Sequence, residues 1–257
     1  MAAYVDKFNA TFQVITDIHL ENADSCPDFS AKWPALTPCL ILSGDIGHVS
    51  CPIWHQFMEY VNSNWDVVIY VLGNHEFYSN SKSMMKLLDL YRTTIGEKWA
   101  KIHLLVNESI GIIWNEQLWT IIGSTAWGSA DYSIVLSIND FKQIKTHNDS
   151  GHLKPITVKD YHELHNRDMQ FIDDQLSCID DDTPLVVVTH FPLTRDGTSD
   201  PIYGNQSEAT KRYFANELHD KIKGNPRLTL VAGHTHHKYD FIMDHVRYIG
   251  GYGSNQE

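Results

Sequence analysis

The chain alternates short, continuous apolar runs with longer segments in which apolar residues recur at helical spacing. Five apolar, β-rich runs occupy residues 12–16, 39–42, 67–72, 185–189 and 228–232. Runs of this length, rich in Val, Ile and Leu, are typical of strands in the middle of a sheet. Strands alternating with helical segments favour an α/β fold.

Three segments carry the helical spacing. The first has apolar residues at Ile53, Trp54, Phe57 and Val61 and a proline near its first turn, and the second follows Met84, Met85, Leu88 and Tyr91. The third is longer and begins with Thr157 and Asp160, a pair with the spacing of a capping box. Its apolar positions from Tyr161 to Ile179 keep helical spacing, with Asp168 as the exception.

The middle of the chain changes character. Residues 102–106, 110–114 and 119–123 are short and β-like, and the separators Asn107-Glu108 and Asn115-Glu116 predict the turns of a meander. Residues 124–153 show no clear periodicity, which predicts a loop region on the substrate side of the molecule. Residues 241–250 predict a final hairpin. No linker or repeat interrupts residues 1–257, so we expect a single domain.

Composition and charge limit the classes of function. The chain has 257 residues, 42% of them apolar, and a net charge of −12, which argues against binding to extended nucleic acid. A small anionic substrate is still compatible with this charge if metal cations dominate the local field. No stretch approaches the ~20 apolar residues of a membrane span, so we expect a soluble, cytoplasmic protein without membrane partners.

Polar fragments follow each of the five apolar runs. In chain order they are Asp17-Ile18-His19, Gly44-Asp45, Gly73-Asn74-His75-Glu76, His190, and Gly233-His234-Thr235-His236. Because the carboxyl ends of parallel strands meet at one edge of a sheet, we expect these fragments to share one crevice. They offer nitrogen and oxygen ligands without thiolates, which suits divalent transition metals. Two such ions ~3.5–4 Å apart are the usual arrangement for hydrolysing phosphate esters.

The order D-x-H, G-D, G-N-H-[DE], H and G-H-x-H, from Asp17 to His236, strongly resembles the calcineurin-like metallophosphoesterase superfamily. The resemblance implies a four-layer αββα sandwich and two divalent metal ions, with Mn²⁺ the first expectation and Fe, Zn, Ni or Co as alternatives. It implies that Asp17, His19 and His236 bind one ion, that Asn74, His190 and His234 bind the other, and that Asp45 bridges both.

The same resemblance assigns the chemistry. A hydroxide shared by the ions would be the nucleophile, and Asp45 would hold the pair of ions in place. His75 would protonate the leaving alkoxide or stabilise the transferring phosphoryl group.

Departures from the motifs argue against two branches of this superfamily. Leu72 precedes Gly73 where phosphoprotein phosphatases carry an arginine, and His48 stands where purple acid phosphatases need a tyrosine ligand. Residues 123–145 instead resemble a G-S-T-x-W and N-D-[FY]-x-x-I region of small bacterial and phage-type phosphoesterases. The candidate substrate-binding residues are Trp127, Asp140, Lys142, His147, Arg195 and His237.

We therefore expect a dinuclear metal-dependent phosphohydrolase acting on a small, nucleotide-like phosphodiester or phosphomonoester, with the diester favoured. A nuclease is the first alternative, although such enzymes usually add a DNA-capping domain and basic surfaces. A non-catalytic, protein-binding scaffold of the same fold is the second, although such members typically lack the histidine of G-N-H or several ligands. The substrate, the native metal and the oligomeric state are left open by the sequence.

Overall fold

A computed structural model describes residues 4–5, 12–114, 116–178, 183–251 and 253. The strands in these residues are β1 Tyr4–Val5, β2 Gln13–Ile15, β3 Cys39–Ser43, β4 Val67–Val71, β5 Ile102–Leu104, β6 Glu108–Trp114, β7 Gln117–Ser124, β8 Lys145–His147, β9 Leu153–Pro155, β10 Leu185–Thr189, β11 Leu228–Ala232, β12 Tyr239–Met243 and β13 Val246–Gly250. The α-helices are α1 Phe29–Lys32, α2 Pro52–Asn64, α3 Met84–Lys98, α4 Asp140–Gln143, α5 Val158–Cys178, α6 Glu208–Phe214 and α7 His219–Ile222. Short 3-10 turns occupy Leu20–Asn22, His75–Phe77 and Pro201–Tyr203.

Two mixed sheets organise the molecule. The first has the strand order β1-β2-β3-β4-β5, in which β2 to β5 are parallel and β1 is antiparallel at one edge. The second has the order β12-β13-β11-β10-β7-β6, with a parallel centre and antiparallel strands at both edges. A separate hairpin is formed by β8 and β9.

Alternating side chains bury both faces of each sheet. Ile41 and Ile69 of the first sheet pack against Val186 and Val188 of the second, so the sheets lie face to face. Leu40 and Val68 point the other way, into a core with α2 and α3, and the opposite face of the second sheet packs against α5 and α7. The layers therefore follow the order helices, sheet, sheet, helices, which confirms the expected αββα sandwich.

The strongest sequence patterns are confirmed by the structure. Each of the five apolar runs contains a strand, and each segment with helical spacing forms a helix. Pro52 lies in the first turn of α2. The capping box is formed, because the Thr157 backbone N–H donates to the Asp160 carboxylate and the Asp160 N–H donates to Thr157 Oγ1. The predicted final hairpin is formed by β12 and β13.

The predicted meander is wrong in its first turn. Residues 102–104 form β5, the edge strand of the first sheet, whereas Glu108 begins β6 in the second sheet. Leu105 is buried between the two sheets, so the chain crosses from one sheet to the other there. The second turn does join a hairpin, since β6 pairs with β7 through Trp114 and Gln117. Asn115 itself lies outside the described residues, and Glu116 has a φ of 66°.

Asp168 breaks the apolar stripe of α5 because it ties this helix to the loops around it. Its buried carboxylate accepts hydrogen bonds from Asn107 Nδ2 at 2.7 Å and from the Ala126 backbone N–H at 3.1 Å. Arg167 also donates to it from two guanidinium nitrogens. A buried carboxylate with this set of donors is compensated for its loss of hydration.

Residues 124–153 are more ordered than the sequence suggests. They contain α4 and β8, and they bury large side chains such as Trp127 and Phe141 in the core beside the first sheet. In the part of the chain that the structure describes, no helix combines the length and apolarity that crossing a bilayer requires.

Candidate metal centre

Backbone strain is concentrated where the strands deliver the predicted ligands. Asp17, His19, Asp45, His234 and His236 all have positive φ angles, of 55°, 46°, 53°, 67° and 54°. Such left-handed geometry is uncommon for residues other than glycine and costs on the order of 1–3 kcal/mol each. A cost repeated at these positions requires support from the surrounding fold, and it is a common feature of functional sites.

Glycines allow the motifs to approach one another closely. A Cβ on Gly73 would lie 2.2 Å from Asp45 Oδ1, and one on Gly44 would lie 2.3 Å from His190 Nδ1. Neither position can carry a larger side chain without displacing a predicted ligand. The G-D and G-N-H motifs therefore need their glycines so that three strand ends can meet.

One cluster joins the first and last motifs. Ligand atoms of Asp17, His19 and His236 all lie within 4.8 Å of one another. His19 Nε2 is 3.2 Å from His236 Nε2, and His236 Nε2 is 3.5 Å from Asp17 Oδ1. The orientation of Asp17 is fixed by Thr16 Oγ1 and the His234 backbone N–H, which both donate to its carboxylate.

A second cluster lies beside the first. Ligand atoms of Asp45, His190 and His234 are also within 4.8 Å of one another. His190 Nε2 is 3.3 Å from Asp45 Oδ2 and 3.0 Å from Asn74 Oδ1. The same Asp45 Oδ2 is 3.8 Å from His19 Nε2, a member of the first cluster. The carboxylate of Asp45 thus lies between the two clusters, where a bridging ligand would be.

The electrostatics of this centre are dominated by paired acids and histidines. Burial acts to lower the pKa of His190 and of His19, but several groups together outweigh it. At His190 these are led by the charge of Asp45, and at His19 by the hydrogen bond that Glu21 accepts, followed by the charge of Asp45. The pKa values rise to about 10 and about 9 respectively. Burial acts in the opposite direction on Asp45, yet the charge of His190 and that of His75 hold its pKa well below the usual range.

His234 provides the sharpest test of whether these residues fit a metal. Its Nε2 atom is buried and has no hydrogen-bond partner within the described ranges of the chain. Burial, followed by the charge of His190, lowers the pKa of this imidazole well below its ordinary value. A neutral imidazole with an unpaired buried nitrogen is the form that binds a metal ion. The donor set, which is free of thiolates, therefore fits divalent cations.

His75 lies at the edge of the centre, beside Asp45. Its backbone N–H donates to Asp45 Oδ1 at 2.9 Å, its Nε2 is 4.0 Å from Asp45 Oδ2, and 30% of its side chain is exposed. Its ring lies 4.2 Å from that of Tyr78. Burial acts to lower its pKa, but the charge of Asp45 and the hydrogen bond with Glu21 raise it above the ordinary value. The imidazole therefore favours its cationic form.

Two acidic residues hold other groups of the site in place. Buried Glu76 accepts the backbone N–H groups of Asp45 at 3.0 Å and Gly73 at 2.8 Å, and so fixes two motifs to each other. Glu21, which the sequence analysis did not single out, contacts both His19 and His75 at 3.2 Å. Its position two residues after His19 was the available signal. Burial acts to raise the pKa of Glu21, but its hydrogen bonds to these two histidines lower it to about 2.

Asp140 has a different place from the one expected of a substrate-binding residue. Its carboxylate is fully buried and accepts hydrogen bonds from Asn74 Nδ2 at 2.8 Å, Tyr78 Oη at 2.7 Å, Tyr161 Oη at 3.0 Å and Tyr213 Oη at 3.0 Å. No lone pair faces an incoming ligand, so direct contact with substrate is excluded. Holding the Asn74 amide nitrogen instead turns Asn74 Oδ1 towards His190.

The other candidates for substrate binding are scattered. Trp127 is buried among Phe77, Tyr161 and Phe191, which corrects its expected contact with substrate, because it is a core residue. Lys142 and His147 are exposed, and the ring of half-buried His237 lies 6.4 Å from that of Tyr239.

Among the substrate candidates, Arg195 lies in the wall of a cavity beside the centre. This cavity has a volume of about 430 Å³ and is also lined by His234 and His236. Much of the wall comes from residues 199–215, between the fourth and fifth motifs, including Tyr203, Lys211 and Phe214.

Comparison with known proteins identifies the family. Residues 10–238 match the calcineurin-like phosphoesterase family, and the chain belongs to it. An uncharacterised protein of Acanthamoeba polyphaga mimivirus, L509, is 30% identical over 252 residues, which cover 90% of this chain and 86% of the relative. The fold and the site therefore define a metal-dependent phosphoesterase.

Solved structures share the fold at low identity. The phosphopantetheinyl hydrolase PptH of Mycobacterium tuberculosis superimposes with a TM-score of 0.65 and 19% identity, covering 95% of this chain and 90% of its own. GAP50, the anchor in the inner membrane complex of Plasmodium, gives a TM-score of 0.53 and 14% identity, covering 94% and 70%. At these identities the similarity describes the architecture alone.

Proposed function

We propose that this chain hydrolyses a small, nucleotide-like phosphate ester with two divalent metal ions, with Mn²⁺ and a phosphodiester preferred. The observation that carries the proposal is the position of Asp45. Its Oδ2 lies 3.3 Å from His190 Nε2 in one ligand cluster and 3.8 Å from His19 Nε2 in the other. A carboxylate shared by two sets of ligands suits a pair of ions rather than a single one.

The division of ligands follows the two clusters. Asp17, His19 and His236 would hold one ion, and Asn74, His190 and His234 would hold the other, with Asp45 binding both. When bound, such ions supply positive charge for the phosphate oxygens and lower the pKa of a water towards 7. The protein supplies the fixed geometry, because each ligand extends from the end of a buried strand.

His75 would supply the proton for the leaving group. Its Nε2 lies at the edge of the centre, 4.0 Å from Asp45 Oδ2, and its side chain is partly exposed. The charge of Asp45 and the hydrogen bond with Glu21, acting against burial, raise its pKa, which favours the protonated ring that a proton donor requires. Transfer of that proton to the departing alkoxide oxygen is general acid catalysis.

The cavity beside His234 and His236 would hold the rest of the substrate. Tyr203 and Phe214 offer aromatic surface, while Lys211 is paired with Glu208 and Arg195 with both Glu208 and Glu217. An aromatic pocket with neutralised cations suits a compact, planar group such as a nucleobase better than a polyanion.

We propose that residues 1–257 act as one domain in which residues 124–153 support the site through Asp140.

An activity panel with Mn²⁺ tests the proposal. The substrates are bis-p-nitrophenyl phosphate, p-nitrophenyl phosphate, cyclic mononucleotides, cyclic dinucleotides, single-stranded DNA and, because PptH is a phosphopantetheinyl hydrolase, a phosphopantetheinyl ester. We expect metal-dependent cleavage of small diesters that EDTA abolishes. Preferential cleavage of single-stranded DNA would instead favour a nuclease. A chain that neither binds metal nor cleaves any ester would favour a scaffold role.

A further inference from the structure

One carboxylate oxygen contacts two histidines of different function. Glu21 Oε1 lies 3.2 Å from His19 Nδ1 and 3.2 Å from His75 Nδ1. His19 belongs to the D-x-H motif and is a proposed metal ligand, whereas His75 belongs to the G-N-H motif and is the proposed acid. The two rings are themselves in edge contact, with centroids 4.4 Å apart.

We propose that Glu21 is a positioning residue that orients His19 and His75 together, an inference that rests on the proposed function. An imidazole that donates from Nδ1 to a carboxylate is fixed in rotation and presents Nε2 on its opposite side. Both rings follow this geometry here, since His19 Nε2 and His75 Nε2 lie 3.8 Å and 4.0 Å from the same atom, Asp45 Oδ2. Glu21 thereby couples the placement of a ligand to the placement of the proton donor.

The local fold holds Glu21 in place. It lies in the 3-10 turn Leu20–Asn22, which begins directly after the left-handed residue His19. The Leu20 backbone N–H donates to the Ile46 carbonyl at 3.0 Å, and the Leu20 side chain is buried in the core. With 21% of its side chain exposed, Glu21 is largely shielded from solvent, which strengthens its hydrogen bonds. The turn is thus anchored to the segment that follows Asp45.

Substitution of Glu21 should act through His75. We expect Glu21→Ala to slow hydrolysis of esters with alkoxide leaving groups by ~10–100-fold, as for other residues that orient metal-bound histidines. The loss should be smaller for p-nitrophenyl esters, which leave without a proton. In a His75→Ala background, Glu21→Ala should add little to the loss specific to alkoxides. Glu21→Asp should restore part of the rate.

The matched control is Asp24→Asn, which removes the same negative charge from an exposed position three residues along the chain. A second measurement does not depend on enzyme activity. In the metal-free protein, nitrogen-15 spectra should show hydrogen-bonded Nδ1–H signals for His19 and His75, and both signals should be lost in Glu21→Ala but kept in Asp24→Asn.

Three results would overturn the inference. The first is a loss specific to alkoxide esters in Glu21→Ala that is fully additive with that of His75→Ala. The second is survival of both Nδ1–H signals in Glu21→Ala, and the third is an equal loss of rate in Asp24→Asn. A wild-type protein without any metal-dependent hydrolysis would refute the proposed function instead. The spectra of the metal-free protein would still decide whether Glu21 orients the two rings.

Discussion

Asn74 Nδ2 donates a hydrogen bond of 2.8 Å to Asp140 Oδ1, and both side chains are buried. The amide oxygen of Asn74 is thereby left facing His190 Nε2, 3.0 Å away. An asparagine amide can rotate to present either its nitrogen or its oxygen, and only the oxygen can bind a cation. Asp140 therefore determines which atom of Asn74 enters the proposed metal centre.

We expect Asp140→Asn to weaken binding of one metal ion by ~10–100-fold, the usual effect of losing a residue that orients a ligand. The substituted amide can still accept hydrogen bonds from the surrounding tyrosines, so the fold should be retained. Calorimetric titration of Mn²⁺ into the metal-free variant measures the effect. Asp149→Asn, an exposed change in the same region, is the control. Unchanged affinity at both sites in Asp140→Asn would argue against the positioning role.

His75→Ala should separate proton donation from metal binding. Loss of a general acid typically costs ~10²–10⁴-fold in rate, so esters with alkyl or nucleoside leaving groups should suffer a loss of that size. Hydrolysis of p-nitrophenyl esters should fall much less, and the metal content should match that of the wild type. Steady-state kinetics on both ester classes, with metal analysis of the same samples, provide the test.

Equal slowing of both ester classes in His75→Ala, or loss of metal, would contradict the assignment. His75 would then position the phosphate or support the fold, and the proton donor would have to be found elsewhere.

Asp45→Asn should abolish Mn²⁺-dependent hydrolysis. Asp45 is buried, and its charge would offset part of the repulsion between two cations at the junction of the ligand clusters. The control Asp66→Asn changes an exposed carboxylate and should behave as the wild type. If Asp45→Asn kept more than about a tenth of the wild-type kcat at saturating metal, a bridging role would be excluded.

Metal binding should release protons at neutral pH. The pKa of His19 is raised to about 9 and that of His190 to about 10, so both imidazoles are protonated in the metal-free protein at pH 7. A metal ion binds the neutral ring, so both protons must leave. Affinity should therefore fall as the pH falls, and the release should decline as the pH rises through 9 and 10, where the rings are already neutral.

The release can be measured by calorimetry in buffers with different ionisation enthalpies. We expect about two protons per protein at pH 7 and a smaller number above pH 10. A binding enthalpy at pH 7 that does not depend on the buffer would contradict the linkage.

Features that depend on local sequence pattern could be predicted from the sequence alone. Buried central strands have a distinctive composition, so the five apolar runs coincide with strands, and the polar fragments at their ends converge. Membership of a sheet depends on long-range pairing instead. The segments at residues 102–104 and 108–114 both have strand-like sequences, yet they belong to different sheets.

The contacts that support the site could not be predicted from the sequence either. Asp140 was predicted to be a substrate-binding residue of an irregular segment, and nothing local indicates that Tyr161 and Tyr213 converge on it from two different helices. Glu21 was not singled out because its relation to His75 spans 54 positions along the chain. Residues that contact a metal follow motifs, whereas residues that orient them are fixed by tertiary packing.

Anomalous X-ray scattering from crystals loaded with Mn²⁺ tests most directly whether a pair of metal ions is held around Asp45. We expect two anomalous peaks ~3.5–4 Å apart. Asp45 should contact both, with Asp17, His19 and His236 at one peak and Asn74, His190 and His234 at the other. A single peak at saturating metal, or two peaks that do not share Asp45, would contradict the account.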